Sequence, residues 1–179
     1  MTTASSPRPT TSISQVMLES MDDMAAQLLN RLEGIGNEEY LWAPVADVWT
    51  VRDTPDGPMA DLGDRSADPA PVTTIAWRLW HLGSDCFDSY TARFLGQPDV
   101  ELRSWTMDAA DAVARFDASW SNFRNVIADA DDWFAEIGDA FGPWHRHCIA
   151  DFAMHASNEL VHHGAEIALL RDLYRAEHG

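Results

Sequence analysis

The stretch IADFAMHASNELVHHGAEIALLRDLY, residues 149–174, carries apolar side chains at successive steps of three and four residues. These positions are Phe152, Ala156, Leu160, Ile167, Leu170 and Tyr174. Because an α-helix turns once every ~3.6 residues, such spacing puts all of them on one side of a helix. The pattern predicts an amphipathic helix over about residues 144–176.

Three further segments show the same helical spacing. The first spans about residues 12–32, with Ser12 as a suitable cap and Gly34 just beyond its end. The second spans about residues 73–95 and the third about residues 107–131. Four amphipathic helices without an alternating strand pattern predict an all-α fold, a four-helix bundle.

Residues 37–72, between the first two predicted helices, are rich in proline. The prolines are Pro44, Pro55, Pro58, Pro69 and Pro71. Because proline lacks a backbone N–H and clashes with the preceding turn, no helix can run through this stretch. Residues 53–70 are acidic and poor in large apolar side chains, so we expect an exposed excursion without a β-hairpin. Loops of this length often act as functional lids.

Composition limits the number of domains and the kinds of partner. A chain of 179 residues that is 46% hydrophobic predicts one domain, residues 12–179, after a disordered arm rich in Pro, Ser and Thr, residues 1–11. The net charge of −17 argues against nucleic acid and against an anionic membrane, since both recruit Lys and Arg. We therefore expect a small-molecule substrate as the partner.

The sequence also suggests where the protein resides. No apolar run approaches the ~20 residues of a membrane span, and the first residues lack the apolar segment of a signal peptide. Cys86 and Cys148 form no CxxC pair and no disulfide framework, so we expect each to be a small buried apolar residue. These features predict a cytoplasmic protein. Its eight tryptophans fit either a core or a homodimer interface.

Two polar side chains lie on or beside the apolar face of the last predicted helix. Glu159 and His163 are four residues apart, so they are neighbours on the helix surface. A carboxylate turned toward a core costs several kcal/mol or more unless it is paired or bound to a metal. A metal held by both residues would meet that requirement.

The second predicted helix offers a third ligand, His81, beside an apolar stripe. A histidine from one helix and a Glu-x-x-x-His pair from another resemble the way in which bundles build interior metal sites. Two imidazoles and one carboxylate leave coordination open for water or substrate. Zinc suits these ligands best, and nickel, iron and manganese are alternatives.

Other residues leave the assignment open. A lone histidine near an apolar face is more often a hydrogen-bonded core residue than a ligand. His155 could replace His163 as the partner of Glu159, and His162 is adjacent to His163 but points about 100° away. Asp85 could orient the His81 ring, although a solvated acid is the commoner role for such a residue.

Three pieces of the sequence resemble a known family. They are EEYLWAPV (residues 38–45), TTIAWRLWHLGSD (73–85) and NELVHHGAEIALLRDLY (158–174). Together they are similar to the DinB-like (DinB/YfiT-like) superfamily of metalloenzymes. The resemblance implies a four-helix bundle with a divalent metal, usually held by three histidines. One histidine comes from the second helix and two, four residues apart, come from the last.

The resemblance carries the ligand positions onto His81, Glu159 and His163. Glu159 stands where most members have histidine, and a His, Glu, His set is that of the mycothiol-dependent maleylpyruvate isomerase branch. The resemblance therefore implies a metal-dependent transferase or isomerase that acts with a low-molecular-weight thiol such as mycothiol. A metal-dependent hydrolase, and a stress-related metal-binding protein without catalysis, are the alternatives.

Several residues are candidates for the surroundings of such a site. Four tryptophans could wall a pocket above the metal, although core packing is the commoner role: Trp42, Trp49, Trp77 and Trp80. The cluster WHRHC, residues 144–148, could reach the mouth of the pocket. Arg78 and Arg171 are candidates to bind an acidic thiol, although both residues are expected to be ordinary surface arginines.

Overall fold

The computed structural model describes residues 12–64, 66–97 and 103–179, so the predicted arm at residues 1–11 lies outside the described residues. Its α-helices are α1 (Ile13–Leu32), α2 (Asn37–Leu41), α3 (Ile75–Trp80), α4 (Ser89–Phe94), α5 (Ala109–Ala128) and α6 (Ile149–His178). A π-helical segment, His81–Asp88, joins α3 to α4 without a break in helical backbone angles. We call α3, this segment and α4 together the central helix. The mostly helical architecture confirms the predicted all-α bundle.

Side-chain caps explain where the helices begin. The Ser12 side chain accepts a hydrogen bond from the Gln15 N–H at the start of α1. Thr74 does the same for Trp77 at the start of the central helix. Each cap satisfies one of the backbone N–H groups that a first turn leaves without a partner. The predicted starts of these two helices are therefore close to the observed ones.

The last helix begins later than its apolar pattern predicts. α6 starts at Ile149 rather than near Trp144, because the preceding residues bond back to the incoming loop. The Ile137 N–H donates to the His147 carbonyl, and the Gly138 N–H donates to the His145 carbonyl. A short 3-10 helix, Asp139–Trp144, precedes this turn.

The connection between α2 and the central helix contains a small β-hairpin, and part of it lies in the predicted excursion at residues 53–70. The sequence predicted no hairpin there. Strands β1 (Val51–Arg52) and β2 (Met59–Ala60) pair antiparallel, with Val51 opposite Ala60. Gly57, at a φ of 99°, lies in the turn between the strands. Backbone hydrogen bonds between Thr54 and Gly57 close this turn. Ala60 is fully buried, so this part of the excursion packs onto the bundle rather than facing solvent. Two-residue strands are too short for an alternating pattern to reveal them.

The long helices pack around one aromatic-rich core. α1 lies against α5 and α6, and the central helix lies between α5 and α6. Phe87 of the central helix contacts the rings of Phe116, Trp120 and Phe123 of α5. Among the described residues, no helix combines the length and the apolar character needed to cross a membrane. The packing of the central helix on α6 brings the predicted ligands into register.

Candidate metal centre

Three predicted ligands converge inside the bundle. Nε2 of His81 lies 3.1 Å from Oε2 of Glu159, and Nε2 of His163 lies 3.0 Å from the same oxygen. One ligand atom from each residue lies within 4.8 Å of the other two. The side chains of His81, Glu159 and His163 are 17%, 14% and 6% exposed, so the cluster is shielded without being sealed.

The spacing of these atoms fits a small divalent cation. In a tetrahedral site with metal–ligand bonds of about 2.0–2.1 Å, two ligand atoms are roughly 3.3 Å apart. The two nitrogen–oxygen distances, 3.1 and 3.0 Å, are close to that value. Two imidazole nitrogens and one carboxylate are also a donor set that zinc and its neighbours accept. The residues present therefore fit the group that the sequence analysis predicts.

Asp85 holds the second nitrogen of His81. Oδ2 of Asp85 lies 2.8 Å from Nδ1 of His81, and the Asp85 side chain is 12% exposed. The favoured expectation of a solvated acid is therefore wrong, and Asp85 makes the contact with His81 that was the less favoured alternative. A carboxylate on Nδ1 keeps a proton there, so Nε2 is the nitrogen that binds a cation once its own proton is displaced.

Glu166 holds His163 in the same way. Oε2 of Glu166 lies 2.7 Å from Nδ1 of His163, one turn further along α6. Arg78 reaches across from the central helix and forms an ion pair with Glu166 at 2.9 Å. Nη1 of Arg78 is also 3.0 Å from Nδ1 of His163. A protonated Nδ1 of His163 donates to Glu166. The Arg78 guanidinium then pairs with the Glu166 carboxylate rather than donating to Nδ1 of His163.

Hydrogen bonds set the charge of the cluster. Burial lowers the pKa of His81, but hydrogen bonds to Asp85, Cys86 and Glu159 outweigh burial and raise the pKa to about 11. Hydrogen bonds from His163 and His81 hold the pKa of Glu159 far below its ordinary value despite burial. Glu159 is thus ionised at neutral pH, and the ionised carboxylate is the form that binds a cation.

Cys86 lies beside the cluster, which the sequence analysis missed. Its side chain is buried as predicted, but Sγ lies 3.7 Å from Nε2 of His81. In a regular α-helix, a residue five positions after His81 would point about 140° away from it. The π-helical segment widens the turn, so both Asp85 and Cys86 contact the His81 ring. The residue pattern carries no signal for a π-helix, so a helical wheel could not find Cys86.

Two of the four predicted pocket tryptophans contact the His81 ring. Trp77 stacks on it with ring centroids 5.1 Å apart, and the centroid of Trp80 is 6.3 Å away. Trp49 packs on Trp77 and so lies one ring further out. Trp42 instead packs on Tyr174 near the end of α6, so its predicted place in the pocket is wrong.

The reserve histidines have other surroundings. The exposed His155 contacts the hydroxyl of Tyr90 through Nε2 at 3.1 Å and is not part of the cluster. His162 forms a second close group with His163 and Glu166. The cation of Arg78 already pairs with Glu166 there, so a metal at that second group would meet a like charge.

Both candidate arginines are buried or partly buried in ion pairs, so the expectation of ordinary surface arginines is wrong. Arg78 pairs with Glu166 beside the cluster, and its side chain is 16% exposed. Arg171 is fully buried and donates to both carboxylate oxygens of Glu39 at 2.7 and 3.0 Å. That ion pair ties α6 to α2 and leaves the Arg171 charge unavailable to a ligand.

The remaining candidates lie apart from the cluster. Residues 144–147 of the WHRHC cluster are exposed, and Trp144 contacts His147 rather than the ligands. Cys148 is half-buried and caps α6 with Asp151, so its expected role as a buried apolar residue is wrong. A cavity of about 600 Å³ opens between the central helix and α5, but no residue of the cluster lines it.

A family model described as the DinB superfamily matches residues 20–167. The matched region contains the whole cluster and the helices α2 to α5. No match was found among curated proteins or among solved structures.

Proposed function

The chain belongs to the DinB superfamily, and we propose that it is a divalent-metal enzyme, a transferase or isomerase that acts with a low-molecular-weight thiol. His81, Glu159 and His163 hold the metal in this proposal. Zinc is the metal that the donor set favours, and nickel, iron and manganese are accepted by the same ligands.

One observation carries the proposal: every ring nitrogen of His81 and His163 faces a carboxylate. Each Nε2 points at the shared Oε2 of Glu159, while the Nδ1 atoms point at Asp85 and Glu166. Outer carboxylates on Nδ1 are the usual support of metal-binding histidines. An arrangement built only for core packing has no need of three carboxylates around two buried imidazoles, because each buried charge is costly.

The chemistry of the site follows from its ligands and its neighbours. A divalent metal with an open coordination position binds a thiol as thiolate near neutral pH, or lowers the pKa of bound water. Glu159 supplies the negative charge that retains the cation. Asp85 and Glu166 keep the Nδ1 protons in place, and Trp77 covers one face of the His81 ring against water.

The thiol is supported by the ligand set. His81, Glu159 and His163 resemble the His, Glu, His set of the mycothiol-dependent maleylpyruvate isomerase branch. A small thiol, rather than a macromolecule, also suits a cluster whose side chains are at most 17% exposed. Mycothiol is therefore the first thiol to test.

Metal analysis of protein prepared without a histidine tag tests the metal site. We expect about one divalent metal per chain, and loss of that metal in Glu159→Ala and His163→Ala with the helical circular-dichroism signal kept. His162→Ala is the matched control, since this histidine is adjacent but exposed. Unchanged metal content in both ligand variants would contradict the site.

Activity assays on the metal-loaded protein separate the reaction classes. We expect turnover of an electrophilic or isomerisable substrate only when a thiol such as mycothiol is present. Turnover of ester or amide substrates without any thiol would replace the proposal with a hydrolase. Full metal occupancy with no turnover in either assay would support a metal-binding protein without catalysis.

A further inference from the structure

We propose that Cys86 is a fourth protein ligand of the metal, so that the resting site has two imidazoles, one carboxylate and one thiolate. The inference rests on the proposed metal site and goes beyond the three ligands that the family resemblance assigns. It makes Cys86 the residue that occupies the coordination position into which an external thiol must enter.

The distance from Cys86 to His81 is that of two ligands on one cation. With zinc bonds of about 2.0–2.1 Å to nitrogen and about 2.3 Å to sulfur, the nitrogen–sulfur edge of a tetrahedral site is about 3.6 Å. Sγ of Cys86 lies 3.7 Å from Nε2 of His81. The sulfur therefore already stands at ligand spacing from the one ring nitrogen that points into the cluster.

A π-helical backbone makes the contact between Cys86 and His81 possible. Residues five apart on a regular α-helix diverge by about 140°, but Cys86 and His81 lie on the π-helical segment His81–Asp88. Single π-turns inside α-helices are rare and often occur at functional sites. Here the π-helical segment brings Asp85 to one ring nitrogen of His81 and Cys86 to the other.

The surroundings of the thiol favour a polar role. Cys86 is 3% exposed, and its sulfur contacts Nε2 of the His81 ring. Sγ lies beside Nε2 of His81 but outside the group of three ligand atoms. The proposal therefore requires a movement: rotation about the Cα–Cβ bond of Cys86, together with closure of the ligands on the cation, would have to bring the sulfur into that group.

The proposed ligand also gives Cys86 a part in thiol exchange. An external thiol that took the fourth position would displace Cys86, and its S–H proton would pass to the Cys86 thiolate. One metal–sulfur bond would break as another formed, so no oxidant or reductant would be needed. Cys86 would then hold the displaced proton next to the bound thiol.

Cobalt substitution tests the proposal directly. We load metal-free wild type, Cys86→Ala and Cys148→Ser with Co²⁺ and record near-ultraviolet and visible spectra. We expect an intense thiolate-to-cobalt charge-transfer band in wild type and Cys148→Ser, and its loss in Cys86→Ala. The visible ligand-field bands must persist in Cys86→Ala, because His81, Glu159 and His163 still bind the ion. Cys148 is the matched control, since it caps α6 apart from the cluster.

The other outcomes are distinguishable. Ligand-field bands without a charge-transfer band in wild type would overturn the role of Cys86 and leave the three-ligand site standing. The absence of both kinds of band in wild type would overturn the proposed metal site itself, and the inference with it. As a second readout, we expect Cys86→Ala to bind Zn²⁺ on the order of 10–100-fold more weakly than Cys148→Ser. Loss of a hydrogen-bonding partner of a metal ligand weakens metal binding by that factor, and loss of a ligand itself should weaken it at least as much. Equal zinc affinities of the two variants would contradict the proposal.

Discussion

The two halves of the candidate metal centre hold their histidines in the same way on different backbones. On α6, a regular α-helix, Glu159 and Glu166 lie one turn before and one turn after His163. On the central helix, His81 begins a π-helical segment that places Asp85 and Cys86 on the two nitrogens of one ring. Regular helix periodicity therefore suffices to assemble the α6 half and to place Asp85 on His81, whereas the Cys86 contact depends on a departure from it.

The largest expected effect comes from removing the imidazole of either half. We expect His81→Ala to weaken Zn²⁺ binding by more than about 100-fold, more than the loss of an outer partner, and His163→Ala to do the same. Competition with a chromophoric chelator measures both affinities. If only one variant loses zinc, the two halves do not share one cation and the comparison fails.

The outer carboxylates should follow, with a smaller and similar effect in each half. We expect Asp85→Asn and Glu166→Gln each to weaken Zn²⁺ binding by about 10–100-fold, because a carboxylate on Nδ1 raises the basicity of the ring. The same competition assay applies. Glu177→Gln, an exposed change near the end of α6, is the control and should bind zinc like wild type.

The ion pair between the halves should contribute to stability more than to metal affinity. Arg78→Met leaves the Glu166 carboxylate without its cationic partner across the helix pair. We expect a loss of about 1.5–3 kcal/mol in the free energy of unfolding, the range for a hydrogen bond to a charged group. Urea unfolding of the metal-free protein measures it. A free energy equal to that of wild type would show that Arg78 does not link the two halves.

The smallest expected effect concerns the ring that covers His81. Trp77→Phe keeps an aromatic face on His81 but loses the hydrogen bond from Nε1 to the Asp61 carbonyl of the excursion. We expect a loss of about 0.5–1.5 kcal/mol in stability, typical of a neutral hydrogen bond. Zinc affinity should stay close to that of wild type. A large drop in zinc affinity would instead place the excursion, through Trp77, in the support of the site.

The sequence predicts best the elements that follow the α-helical period of about 3.6 residues per turn. The apolar stripes predict the long helices, and the four-residue step from Glu159 to His163 predicts their meeting on α6. The resemblance points to His81, while its convergence with α6 is a tertiary fact that the structure supplies. Glu39 and Arg171 illustrate the limit, because their buried ion pair joins residues 132 positions apart. Neither a residue pattern nor a local spacing reveals such a pair.

Two other features escape prediction for local reasons. The hairpin of β1 and β2 has strands of two residues, which give no alternating pattern. Cys86 is missed because a helical wheel assumes 3.6 residues per turn, while the backbone at His81–Asp88 is π-helical. In both cases the residue types alone leave the backbone form open.

The most direct test of the shared cation is a crystal structure of the zinc-loaded protein with data collected on both sides of the zinc absorption edge. We predict one anomalous peak inside the bundle, about 2.0–2.2 Å from Nε2 of His81, Nε2 of His163 and a carboxylate oxygen of Glu159. An anomalous peak at His162 or His155, or no peak near Glu159, would contradict the account.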